Sequence, residues 1–264
     1  MDLNDKVFKA GVVQFNIIKG QIDANMEVIL ANLDHLASQD VSLAVLPEMF
    51  SCGFDNMRLK EHACQTGSIL DRLSGFARVH GMAIAGSLPE LENGVVYNTL
   101  YFMDTDGSVK GCYRKLHLFR LTDEHLFYGA GDKVVTLDTS LGRIGLMICY
   151  DLRFPELARQ LFLADAQMVI VSAQWPKSRQ HHWRHLAVAR AIENQLFMVC
   201  ANRTGRDEDL VFPGMSMVVD PLGEILADAG STDQIAAAVI EMEQVVRARQ
   251  LIPCITDRRS DIYG

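Results

Sequence analysis

Short, nearly continuous apolar runs alternate along this chain with longer amphipathic segments. Runs such as "FKAGVVQF" and "MVIVSA" have the length and β-branched content of buried strands. Between them, residues 22–38 repeat apolar side chains at helical spacing, and helices are also predicted over about 155–164 and 180–195. Strands that alternate with helices form layered α/β domains. The pattern therefore predicts an α/β fold.

Turn signals and helix caps set the remaining boundaries. A helix is predicted over residues 68–80, with Ser68 as its N-cap and Gly81 at its end, whereas residues 116–133 are predicted to be a long polar loop. A last short helix and an irregular tail are predicted to close the chain. The other predicted strands are "VSLAVLPEMF" (stopped by Pro47), "MAIAGSL", "VVYNTLYFMD", "VKGCYRK", "VVTLD", "RIGLMIC", "FMVCAN", "MSMVVDP", "EILADAG" and "IAAAVIEM".

Domain organisation and compartment follow from the overall composition. The sequence has no internal repeat, low-complexity tract or linker, so residues 1–264 are expected to form one domain. A net charge of −8 argues against nucleic-acid and anionic-membrane partners, because both need clustered Lys and Arg. No secretion signal and no apolar run of the ~18 residues needed to span a membrane is visible. The six scattered cysteines lack C-x-x-C spacing, which favours reduced thiols in the cytoplasm.

Three reactive side chains each follow a predicted strand. Glu48 follows "VSLAVLP", Lys115 follows "VKGCYR" and Cys149 follows "RIGLMI". Taken singly, each has an ordinary explanation as a solvated carboxylate, an edge charge or a core thiol. Strand ends in α/β folds meet at a common crevice, however, so the three side chains together predict one site.

The combination is suited to nucleophilic catalysis. A free thiol with a pKa near about 8.5 is only a few per cent ionised at neutral pH, so Cys149 needs a neighbouring base or cation. The Glu48 carboxylate can accept the thiol proton and later donate it to a departing amine. The Lys115 ammonium can hold an oxyanion, an interaction whose removal typically costs ~2.7–4 kcal/mol. A sharp turn after Cys149 would bring the backbone N–H of Tyr150 to the same oxyanion, as in a nucleophile elbow, although G-x-S-x-G is absent.

Three motifs carry a resemblance to a known family. "LPEMF", "YRKLHLF" and "ICYDLRFPE" resemble, in order, the catalytic signatures of the nitrilase superfamily of carbon–nitrogen hydrolases, and the likeness extends to "EILADAG". The resemblance implies a Glu–Lys–Cys triad at Glu48, Lys115 and Cys149. It also implies a second Glu in the loop after the Lys, for which Glu124 is the candidate beside Asp123.

The same resemblance implies an architecture and an assembly. The expected fold is a four-layer α-β-β-α sandwich, and the expected assembly is a homodimer or higher homo-oligomer. The C-terminal tail from about residue 241 is expected to pack on a partner subunit. No metal or organic cofactor is implied.

Within the superfamily, "ICYDLRFPE", "SAQWP" and "ARAIENQ" are most similar to the omega-amidase branch. Those enzymes release ammonia from the terminal amide of 2-oxoglutaramate or 2-oxosuccinamate through a Cys thioester. Arg153 is the candidate to bind the substrate carboxylate, because a guanidinium offers a carboxylate two parallel donors. The alternative for Arg153 is a structural ion pair with Asp151 or Glu156. Trp175 is a candidate pocket wall, with ordinary core packing as its alternative.

Several other polar residues are expected to have no direct part in the chemistry. His181 and His185 have the i, i+4 spacing of a metal site, but no third ligand is evident, so exposed imidazoles are favoured. Arg203 is expected near the pocket mouth, without an assigned role. A buried polar network that braces the site is predicted for Arg190, Glu193 and Asn194.

Several alternative functions remain open from the sequence. An N-carbamoyl amino-acid hydrolase or an aliphatic amidase would use the same triad, and a nitrilase is less favoured by "ICYDLRFPE". A non-catalytic binding protein on the same fold would not need all three reactive residues. A Cys–His thiol hydrolase would need a histidine partner, for which His117 and His125 are the nearest loop candidates.

Overall fold

Two six-stranded β-sheets lie face to face in the computed structural model, which describes residues 6–263. The first sheet consists of β1 (Val7–Gln14), β2 (Val41–Val45), β3 (Ala83–Glu92), β4 (Val95–Met103), β5 (Val109–Arg114) and β14 (Gln234–Glu241). Its strand order is β14-β1-β2-β3-β4-β5. Strands β1, β2 and β3 are parallel, and antiparallel strands flank them on both sides.

The second sheet repeats this plan. It consists of β6 (Thr136–Thr139), β7 (Gly142–Ile148), β8 (Met168–Ala173), β9 (Phe197–Asn202), β12 (Met217–Val219) and β13 (Ile225–Asp228). Its order is β13-β12-β9-β8-β7-β6, with β7, β8 and β9 parallel. A separate hairpin is formed by β10 (Thr204–Asp207) and β11 (Leu210–Pro213).

Helices cover the outer faces of both sheets. Helices α1 (Ile22–Ala37) and α3 (Thr66–His80) pack on the first sheet, and α5 (Pro155–Leu163) and α6 (Gln180–Asn194) pack on the second. The shorter helices are α2 (Leu59–Ala63), α4 (Glu124–Phe127), α7 (Glu243–Leu251), α8 (Cys254–Asp257) and α9 (Ser260–Tyr263). The predicted α-β-β-α sandwich is confirmed. No helix within residues 6–263 is long and apolar enough to cross a lipid bilayer.

Alternation of side chains along the strands builds the layers. On β1, Ala10 and Val12 lie in the core between the sheets, whereas Val13 lies in the core under the helices of the first sheet. On β7, Gly145 allows α5 to approach closely, because a methyl group there would lie 2.9 Å from Cδ1 of Leu161. Each fully buried large aliphatic side chain contributes about 1.5–3 kcal/mol. Burial on both faces explains why the central strands are almost continuously apolar.

The strand directions bring several strand ends to one edge of the sandwich. Strand β5 runs in the same direction as β3, since each is antiparallel to β4. The two sheets are joined at the ends of β2 and β8, where Ser172 Oγ donates to the Leu46 carbonyl at 2.8 Å and the Glu48 N–H donates to the Ala173 carbonyl at 3.4 Å. The segments that follow β2, β5, β7 and β8 are therefore neighbours.

The predicted helix starting near residue 68 has a different N-terminus in the structure. Helix α3 begins at Thr66, and Ser68 lies inside its first turn, so the predicted N-cap is wrong. The chain enters α3 from α2 through Gln65, which already has a right-handed helical conformation. A side-chain cap is therefore not needed to start this helix. The predicted end at Gly81 is confirmed, with a φ of 61° in the left-handed region.

Short polar elements were missed by the sequence patterns. The predicted loop 116–133 contains the one-turn helix α4, and the predicted irregular tail contains α8 and α9. The hairpin β10–β11 was not predicted, because "TGRDEDLVFP" has too few apolar residues to display a strand period. Helix 155–164 is confirmed to within one residue, but a five-residue 3-10 turn, Cys149–Arg153, separates it from β7.

A cross-strand ion pair supports the end of β5. Arg114 donates to both carboxylate oxygens of Glu90, at 2.6 and 2.8 Å, and Thr99 Oγ1 donates to the same group at 2.7 Å. These hydrogen bonds, those from Arg114 foremost, hold the pKa of Glu90 below its ordinary value of 4.5. A carboxyl with a depressed folded-state pKa stabilises the fold above its unfolded pKa and loses that contribution as the pH falls through the folded value.

We expect Glu90→Gln to lower the free energy of unfolding at pH 7 by about 1 kcal/mol, because the pair is partly solvent-screened. The difference from wild type should persist down to about pH 5 and shrink on further acidification. Urea unfolding of both proteins between pH 7 and pH 3.5 measures it. The exposed Glu27→Gln variant on α1 is the control and should show no such difference. A gap that does not change with pH would contradict this account of the pair.

Candidate active site

A cavity of about 130 Å³ lies at the edge where the strand ends meet. Its lining includes Glu48, Lys115 and Cys149, the three strand-end residues of the sequence hypothesis. Glu124 lines the same cavity. Arg153, the candidate to bind the substrate carboxylate, and Trp175, the candidate wall, also line it, together with the aromatic rings of Phe54, Phe119, Tyr150 and Phe212. The structure thus brings the predicted residues together in one small, partly apolar chamber.

The Glu48 carboxylate is held by three donors. Lys115 Nζ and Asn98 Nδ2 each donate to Oε1 at 2.8 Å, and the backbone N–H of Gln174 donates to Oε2 at 2.9 Å. The residue after it, Met49, has a φ of 47°, which non-glycine residues seldom adopt. Backbone strain of this kind tends to be retained where a side chain must be aimed into a site. Glu48 is therefore both buried and fixed in orientation.

Lys115 lies between two carboxylates. Its Nζ is 2.8 Å from Glu48 Oε1 and 2.7 Å from Glu124 Oε1, and its side chain is almost fully buried. Burial alone would lower the pKa of Lys115. The nearby charges of Glu124 and Glu48 outweigh burial and hold this pKa well above its ordinary value. Lys115 is consequently a fixed ammonium ion at neutral pH.

Glu124 is the first residue of α4 and is buried, whereas the adjacent Asp123 is exposed. Glu124 Oε1 accepts a hydrogen bond from Lys115, and Glu124 Oε2 accepts one from the backbone N–H of Phe119 at 2.7 Å. Burial raises the pKa of Glu124, Lys115 opposes that rise and Glu48 adds to it. Of the two acidic residues in this loop, the structure places Glu124 in the cavity.

Cys149 follows β7 in a left-handed conformation, with a φ of 45°, and begins the 3-10 turn. Burial raises the pKa of its thiol well above the ordinary value, and the Glu48 charge raises it further. Lys115 and a hydrogen bond from the Gln174 backbone act in the opposite direction without cancelling that rise. In the resting protein the group is therefore a thiol, which needs a base at the moment when it reacts.

Asp151 ties the turn after β7 to the segment after β5. Its fully buried carboxyl accepts from the Ile148 N–H at 3.0 Å, the Tyr113 hydroxyl at 2.7 Å and the His117 N–H at 3.0 Å. The His117 ring also lies on it, with Nδ1 at 2.7 Å. Lys115 lies between Tyr113 and His117 in the chain, and Cys149 lies between Ile148 and Asp151. Asp151 therefore helps to fix the separation of Cys149 and Lys115.

Arg153 forms neither of the ion pairs considered from the sequence. No carboxylate of residues 6–263 lies within 4.0 Å of its guanidinium, so pairing with Asp151 or Glu156 is not observed. The guanidinium lies 4.6 Å from the Trp175 ring centroid, and Nη1 is 3.2 Å from His182 Nδ1. Trp175 is 2% exposed, and its backbone N–H donates to Asn202 Oδ1 at 2.6 Å. Both side chains line the cavity, and Trp175 also packs in the buried core, so both of its predicted roles are observed.

Two polar contacts of the site were missed by the sequence analysis. Asn98 binds Glu48 from within β4, and Gln174 follows β8 with its backbone N–H on the same carboxylate. Gln174 could have been found by the strand-end rule that selected Glu48, since it directly follows "MVIVSA". Asn98 is marked only by being polar within an apolar strand.

The expected position of Arg203 is wrong. The side chain is fully buried behind the cavity, where its guanidinium donates to Gln174 Oε1 at 3.0 Å and to the Ile17 carbonyl at 2.7 Å. Burial lowers the pKa of Arg203 to about 10, with partial opposition from Asp207 and Asp233. Arg203 therefore supports the cavity from behind.

The predicted bracing network is confirmed at the turn after Cys149. Arg190 donates to the Leu152 carbonyl from Nε at 3.2 Å and from Nη2 at 3.0 Å, and Nη1 pairs with Glu193 at 2.9 Å. Asn194 Nδ2 donates to the Arg190 carbonyl at 3.1 Å and is also buried. The side chains on α6 thereby hold the turn in place.

The histidines of interest lie outside the cavity lining. His181 and His185 are exposed, and Nδ1 of His185 is 2.6 Å from the His181 carbonyl. His117 bonds to Asp151 and stacks on Phe154 with ring centroids 3.6 Å apart, while His125 is exposed. The site geometry therefore favours a carboxylate rather than an imidazole as the partner of Cys149.

Comparison with known proteins identifies the family. The carbon–nitrogen hydrolase family profile matches residues 9–250. The chain is 38% identical to 2-oxoglutaramate amidase of Bacillus subtilis over 95% of this chain and 97% of that protein. It is 32% identical to human omega-amidase NIT2, with 97% of each chain covered. The crystal structure of XC1258 from Xanthomonas campestris, a CN-hydrolase superfamily protein, superposes with a TM-score of 0.91 at 31% identity, covering 98% of this chain and 100% of that one. This chain belongs to the carbon–nitrogen hydrolase family.

Proposed function

We propose that the protein is an omega-amidase, which hydrolyses the terminal amide of a small carboxylate such as 2-oxoglutaramate or 2-oxosuccinamate. The observation that carries the proposal is the meeting of Glu48, Lys115 and Cys149 in one buried cavity. The similarity of this chain to enzymes named 2-oxoglutaramate amidase and omega-amidase supports the choice of substrate. A 130 Å³ cavity is smaller than typical drug-sized pockets of about 300–1,000 Å³, as a short substrate requires.

The first half of the reaction forms a thioester. Cys149 Sγ attacks the amide carbon while the Glu48 carboxylate accepts the thiol proton, because the resting group is a thiol. The Lys115 ammonium and the backbone N–H of Tyr150 hold the resulting oxyanion. Glu48 then donates its proton to the amide nitrogen, the carbon–nitrogen bond breaks and ammonia leaves. The acyl group remains on Cys149.

The second half of the reaction regenerates the thiol. A water molecule attacks the thioester carbon as Glu48 accepts its proton, and the carbon–sulfur bond breaks as the proton returns to Cys149. The second product of the reaction, the carboxylate, is then released. Glu124 keeps the Lys115 ammonium in place through the 2.7 Å ion pair. Every proton in the cycle is carried by a residue of the chain, and no cofactor takes part.

An ammonia-release panel tests this function. The panel contains 2-oxoglutaramate, 2-oxosuccinamate, pentanamide, an N-carbamoyl amino acid and a small nitrile. We expect the two oxo-acid amides to have the highest kcat/KM. Carbon dioxide released together with ammonia from the N-carbamoyl acid, at a higher kcat/KM, would support the carbamoyl hydrolase instead. Absence of turnover on the entire panel would support a binding protein.

We also propose that two copies of the chain assemble and that the tail after about residue 241 packs on the partner. The tail carries several exposed apolar side chains, namely Leu251, Ile252, Ile255, Ile262 and Tyr263. Truncation after residue 252 should shift the sedimentation coefficient from that of a dimer or larger oligomer to that of a monomer. An unchanged oligomer would remove the tail from the interface.

We place the enzyme in the cytoplasm, where its six free cysteines stay reduced.

A further inference from the structure

Two arginine side chains share the mouth of the cavity. Arg153 and Arg179 both line it and both are partly buried. Arg153 comes from the turn after β7, and Arg179 comes from a 3-10 turn, Lys177–Arg179, that precedes α6. Burial and the positive charge of Arg179 both lower the pKa of Arg153. The two guanidinium groups line one cavity, and the positive charge of Arg179 disfavours that of Arg153.

Neither guanidinium has an anionic partner within the described chain. No carboxylate of residues 6–263 lies within 4.0 Å of Arg153 or Arg179, and Asp207, which also lines the cavity, is beyond that distance from both. Within residues 6–263, eight other arginines lie within 4.0 Å of a carboxylate: Arg58, Arg114, Arg143, Arg184, Arg190, Arg247, Arg249 and Arg259. Two cations that line one cavity, neither of them paired with a carboxylate within 4.0 Å, indicate a place for an anion.

Trp175 organises the two cations. Arg153 stacks over its ring at 4.6 Å, while its indole Nε1 donates to the Arg179 carbonyl at 2.8 Å. The Arg179 N–H donates to the Pro176 carbonyl at 3.0 Å, which closes the turn. The Arg179 guanidinium lies 5.6 Å from the centroid of the Phe119 ring, which also lines the cavity. Aromatic faces thus support both guanidinium groups. Apart from Arg153 Nη1, which lies 3.2 Å from His182 Nδ1, they leave the N–H donors available to a ligand.

We propose that Arg179 acts with Arg153 as a paired-guanidinium site for the far carboxylate of the substrate. The inference rests on the proposed function and deepens it, because it names Arg179 as a residue that determines specificity for the substrate carboxylate. A carboxylate bridging the two cations removes their mutual repulsion and accepts charge-assisted hydrogen bonds from both. A neutral amide of the same length gains neither interaction.

The first test compares kcat/KM for 2-oxoglutaramate with kcat/KM for the neutral pentanamide. In Arg179→Met the ratio of the two should fall about 10- to 100-fold, the loss expected for charged hydrogen bonds, and the change should lie in KM for 2-oxoglutaramate. Arg179→Lys should recover part of the ratio. Lys177→Met removes an exposed cation from the same turn and should keep the wild-type ratio. A ratio within twofold of wild type in Arg179→Met would overturn the proposal.

The second test measures binding without turnover. Glutarate is titrated calorimetrically into Cys149→Ala and into the double variant Cys149→Ala/Arg179→Met. We expect glutarate to bind the first protein at least about tenfold more tightly than the second. Equal affinities, or no glutarate binding to either protein, would overturn the paired-guanidinium site. If glutarate binding depends on Arg179 but 2-oxoglutaramate is not hydrolysed, the proposed function fails while the anion site stands.

Discussion

Replacing Cys149 with alanine is expected to abolish ammonia release from 2-oxoglutaramate, with kcat falling by at least about 10³-fold. The thiol is the nucleophile that attacks the amide carbon in the proposed reaction, and without it the thioester that water later hydrolyses cannot form. Cys149→Ser retains a proton donor of similar shape, but its hydroxyl is harder to ionise, so a large loss is expected there as well. Steady-state ammonia release measures both variants.

The matched control for this substitution is Cys200→Ala. Cys200 is a fully buried thiol on β9 that does not line the cavity, so its replacement removes the same atom without touching the site. This variant should lose some stability and keep the wild-type kcat when assayed well below its unfolding temperature. Turnover by Cys149→Ala near the wild-type rate would refute the proposed nucleophile.

Lys115→Met is expected to have the second largest effect, and it should change both activity and stability. Without the ammonium, an oxyanion donor is lost and two buried carboxylates face each other unpaired. We expect kcat to fall by about 10²–10³-fold or more from the lost donor. Removal of one partner of a buried ion pair typically costs 3–5 kcal/mol, so the free energy of unfolding should fall by about that amount.

Lys110→Met serves as the control for Lys115→Met. Lys110 lies on β5, the strand that precedes Lys115, is exposed and makes a long 3.9 Å contact with Asp104. Its replacement should leave kcat unchanged and alter stability by less than about 1 kcal/mol. Urea unfolding and ammonia release are measured on wild type, Lys115→Met and Lys110→Met. A fully stable and active Lys115→Met protein would exclude the proposed role of the ammonium.

The strand-end positions explain how much of the site could be predicted from the sequence. Apolar runs locate strand ends, and the ends of strands running in the same direction meet at one edge, so Glu48, Lys115 and Cys149 could be grouped before any coordinates were known. Glu124 required the family resemblance, because the surrounding loop has no periodic pattern. The approximate first and last residues of α1, α5 and α6 were likewise predicted from local sequence patterns.

The contacts that orient the site could not be predicted, because they join residues distant along the chain. Asp151 reaches His117 across 34 positions, and Gln174 reaches Glu48 across 126. The side chain of Arg203 was placed wrongly for the same reason, since the chain after a strand can turn inward or outward. The position of Arg179 in the same cavity as Arg153 depends on the closed turn after Trp175, which no sequence pattern predicts.

A crystal structure of Cys149→Ala soaked with 2-oxoglutaramate tests the central claim most directly. We expect the amide carbon to lie against residue 149, with the carbonyl oxygen within about 2.6–3.2 Å of Lys115 Nζ and the amide nitrogen equally near Glu48. An amide turned toward Arg153, with the substrate carboxylate at Lys115, would contradict the proposed hydrolase mechanism.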